Sequence, residues 1–300
     1  MNVSIIIPTY NSEDTLEACL QSIRNNKTFK SYEIIVCDSG STDSTLEIAH
    51  KYADNVINAQ PQRINRNIGL QNAKGKIILF TDSDCLVPCD WIDKLVDTLT
   101  IYSQKYYKVA GVGGGNVAWL ENPTKAEVSI AKVMTSPFVA FKARNTANYK
   151  HDIEVQHNPP INSAYFKYVL DKVGGFIEQQ NFPEDLDLDT RLIEKGYHLY
   201  YLSNVVVQHK HKKTYDLFEK QMRNFGRKRI AINRKHKIVS RWYHIVPAIL
   251  CVFLHSPLFF IPYGLALLNS IWKHDLGVFI LTLKFYYAYG KGEIDELAHK

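Results

Sequence analysis

Two aspartates at alternate positions, Asp82 and Asp84, directly follow the apolar run at residues 77–80. A short continuous apolar run predicts a buried strand, and open α/β sheets bind ligands at the carboxyl ends of their strands. Two carboxylates in such a place repel each other unless a cation compensates their charge. Oxygen ligands of this kind suit Mg²⁺ or Mn²⁺, which also bind phosphate oxygens of substrates. The alternative is a turn with two solvated aspartates, because Asp-x-Asp alone is common.

Strand and helix signals alternate over the first hundred residues. Periodic apolar residues predict helices, one of which starts with Ser44 and Glu47 spaced as a capping box. Apolar runs predict strands at residues 3–7, 32–37, 55–59 and 76–81. This alternation predicts right-handed βαβ units, and therefore an α/β fold with a Rossmann-like, mainly parallel sheet and helices on both faces.

The alternation of strand and helix signals is weaker after residue 108. Gly113-Gly114-Gly115 predicts a flexible segment, and residues 116–160 show no clear repeat. Regular patterns return at residue 162, and residues 198–202 and 205–208 predict two separate strands.

Charge divides the chain into three regions. The 300 residues, 46% hydrophobic and 22% charged, suffice for one large domain and an appendage. Residues 210–241 hold twelve Lys and Arg against two acids, a local net charge of +10. Residues 242–300 hold four of each sign, which leaves residues 1–209 at −4 of the total +6. The partner of the basic segment is either nucleic acid or an anionic membrane surface.

The tail that follows is apolar. From residue 245 to 272 it has no Lys, Arg, Asp or Glu, which is long enough for a hydrocarbon span, but three prolines argue against a straight helix. We predict a catalytic domain at residues 1–234 and an apolar, membrane-associating region at residues 235–300, as a membrane hairpin or re-entrant anchor. The basic run then faces the cytoplasm, and nucleic acid is not the partner. A buried hairpin in a soluble core is the alternative.

Three loops should meet at one edge of the predicted sheet, because each follows the carboxyl end of a parallel strand. They are Thr9-Tyr10-Asn11, Asp38-Ser39-Gly40 and Asp82-Ser83-Asp84. A carboxylate can accept the imino N–H of uracil or guanine, and the aspartate pair can hold a metal ion on a diphosphate. The set predicts a nucleotide site, with Asp38 as an ordinary loop residue being the alternative.

Six motifs occur in order along the chain, followed by His209 after a predicted strand. They are Pro8-Thr9-Tyr10-Asn11, Asp38-Ser39-Gly40-Ser41-Thr42-Asp43, Arg66-Asn67-Ile68-Gly69, Asp82-Ser83-Asp84, Gly174-Gly175-Phe176 and Pro183-Glu184-Asp185-Leu186-Asp187-Leu188. This set, spanning residues 3–230, resembles the signature of family 2 glycosyltransferases, which have the GT-A fold. The sequence departs from the family pattern at Ser39, where an aspartate is common, and at Glu178, which lies one position after the usual acid.

The resemblance implies roles for particular residues. Asp84 is the first metal ligand, Asp82 binds the ribose or the metal's waters, and His209 completes the metal site. His211 is the runner-up, and a surface histidine is the alternative. The donor-binding residues are Pro8, Thr9, Tyr10, Asn11, Asp38, Ser39, Arg66, Asn67, Asp82 and Ser83. A guanidinium fork matches phosphate oxygens, so Arg63 and Arg66 are expected phosphate contacts, the alternative being two solvated arginines.

Asp185 is the expected catalytic base, with Glu184 beside it. Inversion at the anomeric carbon requires a base that takes the proton of the acceptor hydroxyl, on the face opposite the leaving diphosphate. The alternative for residues 184–189 is a helix start enriched in acids.

We therefore expect an inverting, metal-dependent glycosyltransferase at the cytoplasmic face of the cell membrane. Its donor is a nucleotide sugar, UDP- or GDP-linked with UDP favoured, and its acceptor is a lipid-linked or cell-surface glycan. Two other classes remain open: a nucleotidyltransferase on a related α/β fold, and a non-catalytic glycan-binding protein. A Rossmann dehydrogenase is disfavoured because no Gly-x-Gly-x-x-Gly follows the first strand.

Overall fold

The computed structural model of the protein describes residues 2–58, 65–136, 149–179, 182–211, 214–236 and 246–298. The chain forms two units. The first consists of Met1–Trp119, Thr146–Gln180 and Glu184–His209, and the second of Leu120–Asn145, Asn181–Pro183 and Lys210–Lys300. The second unit includes the helix that begins at Tyr215, and the catalytic domain at residues 1–234 stays a prediction.

Nine strands form one sheet within the described residues of the first unit. They are β1 (Val3–Thr9), β2 (Tyr32–Asp38), β3 (Asn55–Asn58), β4 (Ile77–Phe80), β5 (Cys85–Leu86), β6 (Val109–Ala118), β7 (Ile153–Val155), β8 (Ser163–Phe166) and β9 (His198–His209). Their order is β3-β2-β1-β4-β8-β6-β9-β5, and β7 pairs with β9. β1–β4, β6 and β9 run in one direction, whereas β5, β7 and β8 run in the other. The expected mainly parallel sheet is confirmed.

Helices cover both faces of this sheet, as expected. α1 (Leu16–Arg24), α2 (Thr45–Tyr52) and α4 (Trp91–Lys105) contribute to one core, and α3 (Asn65–Asn72), α6 (Lys167–Val173) and α7 (Glu184–Glu194) contribute to the other. Successive side chains of a strand point to opposite faces, so Ile5 and Ile7 belong to the first core and Ile6 to the second. Because both faces are covered, the strands are continuous apolar runs and were readable from the sequence.

The expected flexible segment at Gly113–Gly115 is wrong, because these glycines lie inside β6. A Cβ atom on Gly114 would lie 2.0 Å from the carbonyl oxygen of Val205, so the glycines permit a close approach of two backbones. The two strands expected near residues 198–208 are the single strand β9, whose pairing with β6 shifts register between Gly114 and Gly115. The buried amide of Asn162 bonds Gly115 O and Val205 O on either side of this shift.

The described helices of the second unit are α5 (Lys125–Met134), α8 (Tyr215–His236), α9 (Val246–Phe253), α10 (Phe260–Lys273) and α11 (Leu276–Ala298). They share an apolar core that includes Phe218, Met222, Leu281 and Tyr286. Gly226 and Gly292 let α8 and α11 approach closely, since a Cβ atom on either would lie 2.1 Å from a backbone oxygen. None of the described helices is both long and apolar enough to span a lipid bilayer.

Capping at the helix starts differs from the expectation in one place. The Ser44 side chain makes no capping hydrogen bond at the start of α2, so the expected capping box there is wrong. A capping box does occur at α5, where Thr124 and Glu127 each bond the other's backbone N–H.

A buried carboxyl group in α11 makes the stability of the second unit dependent on pH. The Glu293 side chain is 1% exposed, and burial raises its pKa to about 8, although Arg229 and the Ala248 backbone partly oppose this. Between the ordinary pKa and about 8 the folded chain keeps a proton that the unfolded chain releases. The free energy of unfolding therefore falls as pH rises through this interval, by about 1.4 kcal/mol per unit.

We expect Glu293→Gln to remove this dependence, because a neutral amide has no proton to release. The free energy of unfolding is measured in urea at about pH 6 and about pH 9 for both proteins. It should fall with pH for wild type but not for the variant, so the variant gains stability relative to wild type at the higher pH. Glu296→Gln, in the same helix and more exposed, is the control and should leave the pH slope of wild type intact. Equal slopes for wild type and Glu293→Gln would contradict the assignment.

Candidate active site

The loop after β4 and the end of β9 bring Asp84 and His209 together. Both strands end at the same edge of the sheet, and β5, just after the loop, pairs Cys85 directly opposite His209. This register places His209 Nε2 3.5 Å from Asp84 Oδ1. Two residues that are 125 positions apart in the sequence therefore offer a carboxylate and an imidazole to one ligand.

Asp84, Cys85 and His209 are the described residues of this region whose possible ligand atoms lie within 4.8 Å of one another. The neighbouring His211 and Asp82 are not in this group. Burial, together with the charges of Asp84 and Asp82, raises the pKa of the Cys85 thiol well above its usual value. The carboxylate of Asp84 and the imidazole of His209 fit a divalent cation such as Mg²⁺ or Mn²⁺. They would fill two of its coordination positions and leave the others to water and phosphate oxygens.

Arg66, expected at a phosphate, lies between two carboxylates. Its Nη2 is 2.6 Å from Asp82 Oδ1, and its Nη1 is 3.1 Å from Glu184 Oε1. Burial alone would lower the pKa of Arg66, but the charges of Asp82, Glu184 and Asp185 outweigh burial and raise it. This ion pair ties the loop of Asp84 to the start of α7. The other expected phosphate contact, Arg63, lies outside the described residues.

The loops after β1 and β2 are joined by the buried carboxylate of Asp38. It accepts hydrogen bonds from Thr9 Oγ1 at 3.0 Å and from the backbone N–H groups of Gly40 and Ser41. In this structure the Asp38 carboxylate shapes its own loop and is fully buried, and its contact with a nucleotide base stays a prediction. Asn11 has a left-handed φ of 45° and accepts a bond from the Thr42 N–H.

The structure also describes the other residues of these loops that we expect to bind the donor. Pro8 pairs with Cys37 across β1 and β2, and the Tyr10 side chain is exposed. Ser39 accepts a hydrogen bond from the Asn65 amide, and Ser83 Oγ lies 2.9 Å from Ser12 Oγ.

Asn67, also an expected donor-binding residue, holds the turn that contains Gly174-Gly175-Phe176. Its amide donates to Phe176 O at 2.7 Å and accepts from Phe176 N at 2.8 Å. Arg191 of α7 donates to Gly175 O on the same turn. Both glycines have left-handed φ values, which explains their presence there. Glu178 contributes a contact of 3.3 Å to Asn67.

Asp185 lies in the first turn of α7, as expected, and two residues that the sequence reasoning missed accompany it. His157 Nδ1 lies 2.8 Å from Asp189 Oδ2, and His157 Nε2 lies 3.7 Å from Asp185 Oδ2. Asp189 follows Asp185 by four positions, so both project from one face of the helix. That spacing was visible in the sequence, whereas His157 lies in the region without a repeat.

A mainly parallel sheet with a carboxylate–imidazole pair at the carboxyl ends of its strands, and with an acidic helix start tied to the same loop, is the arrangement that the resemblance to glycosyltransferases of the GT-A class leads us to expect. The comparisons agree with this class. The chain belongs to glycosyl transferase family 2, whose model matches residues 4–174.

Individual relatives match different shares of the chain. It is 26% identical to glycosyltransferase AglE of Haloferax volcanii over 234 residues, 74% of this chain and 71% of AglE. It is 42% identical over 88 residues to WfaP of Escherichia coli, a UDP-Glc:α-D-GlcNAc-diphosphoundecaprenol β-1,3-glucosyltransferase, but this match covers 27% of the chain and 35% of WfaP. The mannosyltransferase PcManGT of Pyrobaculum calidifontis, solved with GDP-Man and Mn²⁺, is 18% identical and shows the same fold with a TM-score of 0.64, over 100% of this chain and 88% of PcManGT.

The Arg66 ion pair predicts a specific pattern of stabilities. Arg66→Gln leaves Asp82 and Glu184 without their cation, so we expect a loss of roughly 2–4 kcal/mol in urea unfolding, less than for a fully buried pair because Asp82 is partly exposed. Arg24→Gln breaks a more exposed pair with Asp54 and should cost under about 1 kcal/mol. Adding Asp82→Asn and Glu184→Gln to Arg66→Gln should restore part of the loss. No recovery in the triple variant would show that Arg66 acts by packing and not by charge.

Proposed function

We propose that the protein is an inverting, metal-dependent glycosyltransferase that moves one sugar from a nucleotide donor to a glycan. The observation that carries the proposal is the Asp82–Arg66–Glu184 bridge, which holds the carboxylate–imidazole pair and the proposed base Asp185 at one site. An inverting displacement needs a metal ion beside the leaving diphosphate and a base on the opposite face of the sugar.

The reaction assigns a role to each part of this site. The acceptor oxygen forms a bond to the anomeric carbon while the bond from that carbon to the diphosphate oxygen breaks. Asp185, a carboxylate in the first turn of α7, takes the hydroxyl proton. A divalent ion, Mg²⁺ or Mn²⁺, held by Asp84 and His209 would supply positive charge beside the departing diphosphate. Arg66 keeps Glu184, and with it the start of α7, in place.

The names of the relatives support the choice of substrates. WfaP uses UDP-Glc and a diphosphoundecaprenol-linked GlcNAc, and PcManGT was solved with GDP-Man and Mn²⁺. We infer a UDP- or GDP-linked donor for this chain, with UDP favoured, and a lipid-linked or cell-surface glycan as the acceptor. The match to WfaP covers about a third of that protein.

Asp185→Asn tests the proposed chemistry. The assay measures release of UDP or GDP from UDP-glucose, UDP-N-acetylglucosamine and GDP-mannose in the presence of Mn²⁺. We expect the variant to bind donor with near-normal affinity, because the lost interaction belongs to the transition state. Its turnover should fall by about two to four orders of magnitude.

Asp171→Asn is the matched control, since Asp171 is an exposed helical aspartate paired with Lys167. It should keep wild-type turnover. An Asp185→Asn variant with most of the wild-type rate would show that another group takes the proton. Release of pyrophosphate from a nucleoside triphosphate and a sugar phosphate would support the nucleotidyltransferase alternative instead.

We further propose that the second unit attaches peripherally to the cytoplasmic face of a membrane. In α10 the usual distribution is inverted: Asn269 and Ser270 are buried, while Phe260, Leu267 and Ile271 are exposed. The Asn269 amide donates to Thr282 Oγ1 and accepts from Ser136 Oγ, so the polar side chains are satisfied inside. Exposed apolar side chains on one helical face suit contact with lipid.

Length and charge favour a position along the membrane surface over a span. The 14 residues of α10 extend about 21 Å, less than a hydrocarbon core of about 30 Å. Lys273 Nζ lies 4.2 Å from the centre of the exposed Trp272 ring, a pair that suits the headgroup region. α8 adds seven Lys and Arg against two acids, which favours anionic headgroups.

Vesicle flotation tests this attachment. Wild type should float with phosphatidylglycerol-containing vesicles and remain bound in high salt, because apolar burial is not screened. Phe260→Ser/Leu267→Ser/Ile271→Ser should bind weakly and dissociate in high salt. Leu217→Ser, at an exposed leucine of α8, is the control and should float like wild type. If the triple variant also floats like wild type, the exposed face of α10 does not contact lipid.

A further inference from the structure

His157 and Asp189 form a pair beside Asp185 that the reaction outlined above does not use. Asp189 is 1% exposed and accepts three hydrogen bonds: from His157 Nδ1, from the Asn158 N–H at 2.8 Å and from the Tyr165 hydroxyl at 2.9 Å. A buried carboxylate with three donors is fixed in position. It therefore fixes the His157 ring and leaves Nε2 on the side of Asp185.

From this geometry we propose that His157 is a positioning residue for Asp185, anchored by Asp189, which orients the base and keeps it ionised. The proposal rests on the proposed function of Asp185. An imidazolium 3.7 Å from the Asp185 carboxylate would stabilise its negative charge, and therefore the form that accepts a proton. The arrangement follows a general logic in which a catalytic group is oriented by a second group and that group by a third.

The tautomer of His157 follows from its neighbours. Burial raises the pKa of the Tyr165 hydroxyl well above its usual value, so this hydroxyl donates to Asp189. Burial also raises the pKa of Asp189, against the opposing effect of its three donors. The Oδ2 atom of Asp189 that faces His157 Nδ1 also accepts the Asn158 N–H, so it acts as an acceptor. The tautomer that fits this acceptor carries its hydrogen on Nδ1, and Nε2 is then the atom that gains or loses a proton facing Asp185.

Among the described residues, the titratable and charged groups that face this pair include Asp185 and Asp189 from α7, Tyr165 from β8 and Arg66 from α3. Asp185→Asn changes one of these charges and leaves the Asp189 anchor in place. The variant therefore isolates the coupling between His157 and Asp185.

The first experiment measures this coupling without any substrate. The imidazole of His157 is titrated by NMR in histidine-labelled wild type and in Asp185→Asn. Loss of the Asp185 charge should lower the midpoint of the His157 titration by roughly one unit. His198, whose Nδ1 lies 2.7 Å from Glu154, is the internal control and should not move. An unchanged His157 midpoint overturns the proposal.

The second experiment is a kinetic cycle of His157→Asn and Asp185→Asn in the nucleotide-release assay with UDP-glucose, UDP-N-acetylglucosamine or GDP-mannose and Mn²⁺. An asparagine amide can replace Nδ1 at Asp189 but does not reach Asp185, so the variant keeps the anchor and loses the contact. We expect kcat to fall roughly tenfold to a hundredfold with the donor KM within about twofold. In the Asp185→Asn background the same change should have almost no further effect. His198→Asn should behave as wild type.

Several outcomes separate this inference from the function on which it rests. Wild-type kcat in His157→Asn, or additive losses in the double variant, overturns the role of His157 and leaves the glycosyltransferase assignment standing. A His157→Asn variant that loses turnover while Asp185→Asn keeps it shows that His157 is itself the base, which also overturns the proposal. A wild-type chain that releases no nucleotide from any of these donors overturns both.

Discussion

The guanidinium of Arg66 is the interaction on which the geometry of the site depends. It bridges Asp82 in the loop after β4 and Glu184 at the start of α7, two segments more than one hundred residues apart. Asp84 lies two residues from one of these carboxylates, and Asp185 directly follows the other. A cation shared between two partly buried carboxylates is costly to remove, because each would then be a partly buried, uncompensated charge. The proposed metal ligand and the proposed base are thus held together by an ion pair that contains neither of them.

The first half of the fold was readable from the sequence. β1, β2 and β4 are buried on both faces, so they appear as continuous apolar runs, and the helices between them carry periodic apolar residues. The later strands were harder to predict. In the sequence alone, the three glycines of β6 indicate a flexible segment. In the structure, the backbone of β9 at Val205 lies so close to Gly114 that a side chain would not fit. The grouping of α5 with the later helices also arises from tertiary packing, because Ile130 and Val133 of α5 lie in the apolar core of the second unit.

The part of the site that ordered sequence motifs encode could be predicted from the sequence. Asp84, His209 and Asp185 could be singled out as candidates from their motifs, and β5–β9 pairing then brings Asp84 and His209 together. The protein contacts of Asp38, Arg66 and Asn67 could not be predicted, because a carboxylate, a guanidinium or an amide can serve the protein as well as a ligand. Several of their partners lie far away in the sequence, such as Thr9 for Asp38 and Phe176 for Asn67. His157 was missed for the same reason, since the buried acid that orients it lies 32 residues further along.

The most direct test of the central claim is pulsed EPR on the wild-type chain with Mn²⁺ and UDP, repeated with GDP. If Asp84 and His209 hold the ion on a nucleoside diphosphate, one Mn²⁺ population should show both nitrogen coupling from an imidazole and phosphorus coupling from the diphosphate. The nitrogen coupling should disappear in His209→Gln and persist in His198→Gln. Phosphorus coupling without nitrogen coupling, or nitrogen coupling that survives in His209→Gln, would contradict the proposed metal site.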